Sequence, residues 1–218
     1  MASHFSFNNI FHSFSKTISE EKGADKKLTP RQKSHQQEIE NSILVLTAAV
    51  IRCDKNFTSD VEKFILEFLS LQFGEHRKAH RINTITSHIE SGTEPFTKIA
   101  CKELKVLTTY DSRISILNFL FGIAAADDFA NAKEIRCIHR IASYLGISEK
   151  DFGQAKEIFQ YENSPHKILG VDSDASVTEI KTAYRKLVLK FHPDKNKNDA
   201  EAETKFRKIK HAFEMLNK

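Results

Sequence analysis

His192, Pro193 and Asp194 set an imidazole and a carboxylate on either side of a proline, inside the stretch KLVLKFHPDKN. The imidazole can donate or accept a hydrogen bond, and the carboxylate can take both arms of an arginine. Catalysis by the pair, as base and orienter, would need a nucleophile. No Ser, Cys or Thr lies beside them in the loop, so no enzymatic activity is expected. Recognition is the use that remains. A residue before proline is pushed out of the helical region, so His192 must end a helix, and Pro193 then fixes its own φ at about −65°. A loop that is stiff from the outset loses little entropy when a partner docks on it.

Two amphipathic helices must hold this loop. Ser176 with Glu179 reads as a capping box, after which Ile180, Ala183, Tyr184, Leu187 and Phe191 form one apolar stripe. Lys181, Arg185, Lys186 and Lys190 fall on its flanks and opposite side. A second helix is expected after Asn198, with Asn198 as cap and Glu201 reaching back; it would bury Ala202, Phe206, Ile209, Phe213 and Leu216. Joined by a short loop, the two make an antiparallel hairpin. From Asn163 onward the chain has 12 Lys and Arg against 8 Asp and Glu, which accounts for the whole net charge of +4. Such a surface suits nucleic acid, an anionic membrane or an acidic protein face, and charge alone does not choose between them.

The stretch HKILGVDSDASVTEIKTAYRKLVLKFHPDKNKNDAEAETKFRKIKHAFEMLNK resembles the J-domain of DnaJ-like co-chaperones from end to end. ILGV, AYRKL, HPDKN and the KF, I, AFE and L positions all stand at the family's spacing. The resemblance implies that His192, Pro193 and Asp194, with Lys195 and Asn196 of the same loop, engage a DnaK-class heat-shock ATPase. Lys181, Tyr184, Arg185, Lys186 and Lys190 would supply the basic and packing surface of the preceding helix. His166 stands where the family has a tyrosine, which is expected to loosen the module's first helix. The chain stops before a fourth helix and carries no Gly/Phe linker or zinc-binding region after the module, which argues against a full client-folding DnaJ.

Residues 1–38 are rich in Ser, Asn, His and Lys and are expected to form a mobile leader, with Phe7, Ile10, Phe11, Phe14 and Ile18 as a short patch at helical spacing. With Lys16 as its only nearby cation, the patch has little attraction for lipid. Residues 39–161 read as helix throughout. Ser59 with Glu62 suggests a capping box, Pro95 a first-turn proline, and Gly92 and Gly146 sit where helix ends belong. An internal echo relates LTAAVIRCDKNFTSDVEKFI to LFGIAAADDFANAKEIRCIH: each is an apolar helix, a short loop and an amphipathic helix, two units expected to pack together.

LNFLFGIAAADD followed by IRCIHRIASYLGIS resembles the second half of the TerB-like tellurite-resistance fold, an all-helical domain often found ahead of a J-domain. In that family each half tends to carry an Asp-Gly turn and a later Glu, forming an acidic face proposed to bind metal. Here Asp54, Asp127 and Glu134 are present, but Lys55 and Asp128 replace the glycines and Val61 replaces the first Glu. No metal or cofactor is therefore expected, and the three acids are weak candidates only.

Other clusters carry less. His76 and His80 are spaced as metal ligands can be, yet the residues between are basic and no general base is present, so ordinary surface histidines are expected. KFRKIKH, Lys205 to His211, shares its turns with Phe206 and Ile209 and lacks an aromatic stacking set, so no nucleic-acid partner is expected. Cys53, Cys101 and Cys137 are odd in number and never form C-x-x-C, which suggests buried free thiols. No run reaches the ~20 apolar residues of a membrane span and no secretory signal opens the chain, so a cytoplasmic location is expected.

The expected architecture is all-α: a TerB-like bundle over 39–161 and a J-domain over 163–218. The expected function is to bind and stimulate a DnaK-class ATPase, with the bundle choosing a target or an unknown client. The competing reading is a metal- or stress-responsive TerB-type scaffold with an accessory J-domain.

Overall fold

The computed structural model describes residues 29–54, 57–92, 94–126, 130–197 and 199–217. The side chains of Asp54 and Ala200 fall outside that description, as do the apolar patch Phe7 to Ile18 and Asp127. Every regular element among the described residues is a helix: α1 Pro30–Asp54, α2 Ser59–Phe73, α3 Lys78–Ser91, α4 Glu94–Leu107, α5 Tyr110–Ala124, α6 Ala132–Tyr144, α7 Glu149–Glu162, α8 Pro165–Leu169, α9 Val177–Phe191 and α10 Ala200–Leu216. The chain divides into two compact units, and the division falls inside α7, between Ala155 and Lys156.

The first unit is organised around α1. Ile43, Leu44, Leu46, Thr47, Ala48 and Val50 are fully buried on all sides of the helix, which packs against α2, α3, α4, α5 and α6. A helix apolar all round can only be an interior one. Its buried hydroxyl is satisfied locally, Thr47 Oγ1 donating to the Ile43 carbonyl at 2.9 Å. The two helix pairs of the internal echo, α1–α2 and α5–α6, lie against one another. Gly122 of α5 admits the ring of Phe64, since a Cβ there would stand 2.3 Å from the ring's Cζ. Phe119 then stacks on Phe68 with 4.0 Å between centroids.

Helix α1 begins inside the stretch assigned to the leader. Thr29 Oγ1 accepts the Gln32 N–H at 3.3 Å while the Gln32 side chain accepts the Thr29 N–H at 2.9 Å, and Pro30 stands at the first helical position. The sequence signal is TPRQ, a capping box with a proline that needs no amide partner there. At α2 the cap is Thr58, not Ser59: Thr58 Oγ1 accepts the Val61 N–H at 3.4 Å.

In the second unit the buried cluster is Leu169, Ile180, Ile209 and Ala212, flanked by Tyr184, Leu187, Val188, Phe191, Phe213 and Leu216. Tyr184 of α9 stacks on Phe213 of α10 at 4.0 Å, while His192 after α9 meets Phe206. As α9 advances its partners recede along α10, so the hairpin is antiparallel. Short helix α8 is capped by Ser164, whose Oγ accepts the Lys167 N–H, and ends at Gly170 with φ 67°, the left-handed conformation that glycine adopts without a Cβ penalty.

Candidate functional site

Sequence-local chemistry delivers both ends of the loop. Ser176 accepts the Glu179 N–H while the Glu179 carboxylate accepts the Ser176 N–H at 2.8 Å, the full capping box that starts α9. The Ser176 hydroxyl, which donates to the same carboxylate at 2.7 Å, and the Ser176 N–H together hold the Glu179 carboxyl below its ordinary range. At the far end His192 leaves the helix with φ −62° and ψ 135°, the extended conformation that Pro193 imposes. The next helix is capped by Asp199, whose carboxylate accepts the Glu201 and Ala202 N–H groups at 3.0 Å and 3.1 Å. The expected cap, Asn198, is displaced by a residue with a charged acceptor at the helix N-terminus.

Between these ends the backbone is pinned from within. The His192 carbonyl accepts the Lys195 N–H at 3.0 Å, the Asn196 N–H at 3.1 Å and the Asn196 side-chain amide at 3.0 Å. The same amide reaches the Lys190 carbonyl at 2.9 Å, satisfying an acceptor left over at the end of α9. Asn196 is thus a brace, half-buried, and its amide is occupied inside the loop. The Asp194 N–H donates to Nδ1 of His192 at 3.2 Å, so in the neutral ring the proton sits on Nε2. Asp194 Oδ2 lies 3.5 Å from the same nitrogen, yet its side chain is 86 % exposed against 41 % for His192. The loop therefore presents a carboxylate outward over a ring fixed in tautomer and direction.

Lys181, Arg185, Lys186 and Lys190 are all exposed on α9, and Pro193, Asp194 and Lys195 are exposed in the loop. Tyr184 differs from its neighbours, since its ring is committed to Phe213. An anionic carboxylate beside a row of cations can engage a partner surface that itself carries both an arginine and an acidic patch.

The acids of the bundle unit offer no comparable site. Glu134 is buried and serves α6 as the third residue of a capping box, accepting the Asn131 N–H at 2.9 Å. Among the described residues no group of three His, Cys, Asp or Glu side chains could hold a metal ion. His76 and His80 are both exposed, and the left-handed Arg77, φ 76°, breaks the helical turn between them.

A helical bundle followed by a capped, loop-bearing hairpin defines the class: an all-α protein with a J-type recognition module at its C-terminal side. The chain belongs to the family described as "Tellurite resistance protein TerB", whose model matches residues 40–157, and a "DnaJ domain" model matches residues 164–218. Over 52 residues it is 56 % identical to "Chaperone protein DnaJ" of Wolbachia sp. subsp. Brugia malayi (strain TRS), covering 24 % of this chain and 14 % of that protein. Over 51 residues it is 57 % identical to the protein of the same name from Leptospira biflexa serovar Patoc (strain Patoc 1 / Ames), covering 23 % and 14 %. The Chlamydia felis (strain Fe/C-56) protein is 54 % identical over 52 residues, 24 % of this chain and 13 % of that one. The chain thus spans about one seventh of the length of these curated relatives. No solved structure matches it.

Proposed function

We propose that this protein is a J-domain co-chaperone that binds a DnaK-class ATPase and stimulates its hydrolysis. The TerB-like bundle selects where, or on which client, that happens. The observation that carries the reading is the loop: three donors fix the His192 backbone while the His192 ring and the Asp194 carboxylate stay accessible. A preorganised loop of this kind binds without an ordering penalty. Phosphoryl transfer belongs to the partner, and this chain favours the partner's hydrolysing state by binding that state better. A cytoplasmic location fits the reading; among the described residues no helix is long and apolar enough to cross a membrane. Nucleic acid is not the partner in this reading.

The test is stimulation of a DnaK-class ATPase from the same cell by the full chain and by His192→Gln. Wild type is expected to raise turnover and His192→Gln to leave it at the basal rate with helicity intact. Stimulation by His192→Gln equal to wild type, or none by wild type, would sink the co-chaperone reading and leave the TerB-type scaffold with an accessory J-domain.

A further inference from the structure

Cys53 lies in the last turn of α1 and Cys137 in the middle of α6, two helices far apart in the sequence that pack within the bundle unit. Both thiols donate to a single acceptor, the Ala49 carbonyl, at 3.2 Å and 3.5 Å. Two sulfurs that share one carbonyl oxygen at these distances lie close to each other. Their environments differ. Cys53 is half-buried and reachable from solvent, whereas Cys137 is 4 % exposed. The third thiol, Cys101, is fully buried and directed at the Ile141 carbonyl.

A reactive thiol needs access and a field that favours its anion, and a disulfide needs a second sulfur close by. Cys53 has all three. The Cys137 S–H can turn from the Ala49 carbonyl to the Cys53 sulfur, and Arg140, held by Glu94 at 2.8 Å, adds a nearby positive charge. The Cys137 hydrogen bond is the largest influence on Cys53; with Arg140 it outweighs burial and the nearby carboxylates of Glu134 and Glu94, so Cys53 is more acidic than an ordinary cysteine, while that same bond and burial make Cys137 less acidic. At Cys101 burial outweighs the nearby positive charge of Lys105 and pushes the thiol up to about 12.

We propose that Cys53 and Cys137 form a peroxide-responsive dithiol that closes to a disulfide between α1 and α6, with Cys53 the attacking sulfur and Cys137 the resolving one. The oxidant is a hydroperoxide. The Cys53 thiolate attacks the outer peroxide oxygen, the O–O bond breaks, and the departing oxygen leaves as an alcohol, or as water from hydrogen peroxide, after taking a proton. Cys53 is then a sulfenic acid. The Cys137 sulfur attacks that sulfur, the S–O bond breaks, and the hydroxide leaves as water with the Cys137 proton. The two sulfurs together lose two electrons and the peroxide gains them. A thiol reductant reverses the closure by exchange.

The experiment treats the native full chain with a few equivalents of hydrogen peroxide, counts thiols after denaturation and maps the peptides by mass spectrometry. Two of the three thiols are expected to disappear, a linked Cys53–Cys137 peptide pair to appear, and dithiothreitol to restore both. Cys101→Ser should close as wild type does. Cys137→Ser, or Cys137→Ala should the serine disturb folding, should give no link and a dimedone-trapped sulfenic acid at Cys53. Retention of all three thiols in the native wild type would overturn the proposal, as would links through Cys101 in equal yield. So would closure that is as fast in urea as in the folded chain, because proximity in the fold would then contribute nothing.

Discussion

The His192 imidazole meets the Phe206 ring at 79°, with 5.7 Å between their centroids. The apolar period of α10 assigns Phe206 to the core alongside Ile209 and Phe213. In the structure it is only half-buried, outside the cluster of Leu169, Ile180, Ile209 and Ala212, and it backs the one imidazole in the recognition loop. Edge-to-face pairs of this kind contribute about 0.5–1.5 kcal/mol beyond the area they bury. Phe206 is therefore a support for the loop more than a pillar of the module.

Phe206→Ala is accordingly expected to cost about 1–3 kcal/mol, leave the module folded and loosen the His192 ring. Ile209→Ala, which empties a fully enclosed position, should cost about 2–5 kcal/mol. Denaturant unfolding followed by circular dichroism separates them. Equal losses would return Phe206 to the core.

Asn196→Ala removes the amide that bridges the Lys190 and His192 carbonyls. A net loss of about 1–2 kcal/mol follows from two such bonds near the surface. Asn196→Asp should be worse, because it sets a carboxylate against two carbonyl oxygens. Both variants are expected to stimulate the ATPase less than wild type while keeping His192, Pro193 and Asp194 unaltered. Full stimulation by Asn196→Asp would mean that the brace is dispensable.

The helical class and the start of the recognition loop at His192 are legible in the sequence because their causes are local. A proline three residues from a basic turn and a Ser-x-x-Glu pair act within a few residues of themselves. Caps at Thr58 and Asp199 were missed by one residue, since neighbouring Thr and Ser, or Asn and Asp, offer equal chemistry and only packing chooses. The start of α1 at Pro30 was masked by its polar first turns, where Ser34 with Glu38 and Gln37 with Asn41 pair along the helix in place of an apolar stripe. Nothing local announces that Cys53 and Cys137 share the Ala49 carbonyl, or that Glu40 meets Arg81; such contacts arise from how the helices pack.

The Glu40–Arg81 pair is deeply buried in the bundle unit, with Arg81 Nε donating to Glu40 at 2.6 Å and side chains 0 % and 5 % exposed. Arg81 Nη2 has no hydrogen-bond partner among the described residues. Among those residues Glu40 otherwise has only Arg77 at 3.5 Å and Arg81 only the Ser70 hydroxyl at 3.4 Å, so a buried charge loses its main partner and Arg81→Ala or Glu40→Ala should cost about 3–5 kcal/mol, whereas Arg81→Met with Glu40→Leu should recover most of that. A double-mutant cycle by chemical denaturation measures the coupling. Additive losses would show that the pair does not act as a unit.

The capping box at α9 predicts a pH dependence. Glu179 has a folded pKa below its ordinary 4.5 because Ser176 donates to it. A depressed carboxylate adds stability that is fully present above the unfolded value and is lost as pH falls through the folded one. Titration of the Glu179 carboxyl by NMR should therefore give a midpoint below 4.5, returning toward it in Ser176→Ala. An unchanged midpoint in that variant would assign the depression to another cause.

The last expectation separates two kinds of contact on the recognition surface. Asp194 projects from a pinned backbone, 86 % exposed, where its carboxylate can take a bidentate arginine from the ATPase. Asp194→Asn removes that charge without touching the core, so helicity and stability should be unchanged while stimulation is lost. A charge-assisted bond of this kind contributes about 1.5–3 kcal/mol, a fall of roughly ten- to a hundredfold in coupling. Arg185 and Lys186 sit on the exposed face of α9 and contribute through a screened field. Arg185→Ala and Lys186→Ala should weaken binding chiefly by slowing association, with a deficit that shrinks as salt rises, and should keep maximal stimulation at saturating concentration. Measuring stimulation against co-chaperone concentration at two ionic strengths distinguishes the classes: Asp194→Asn lowers the plateau, the basic variants shift the midpoint. If Asp194→Asn also shifts only the midpoint and salt erases its defect, the carboxylate is one more surface charge, and the loop does not carry the coupling.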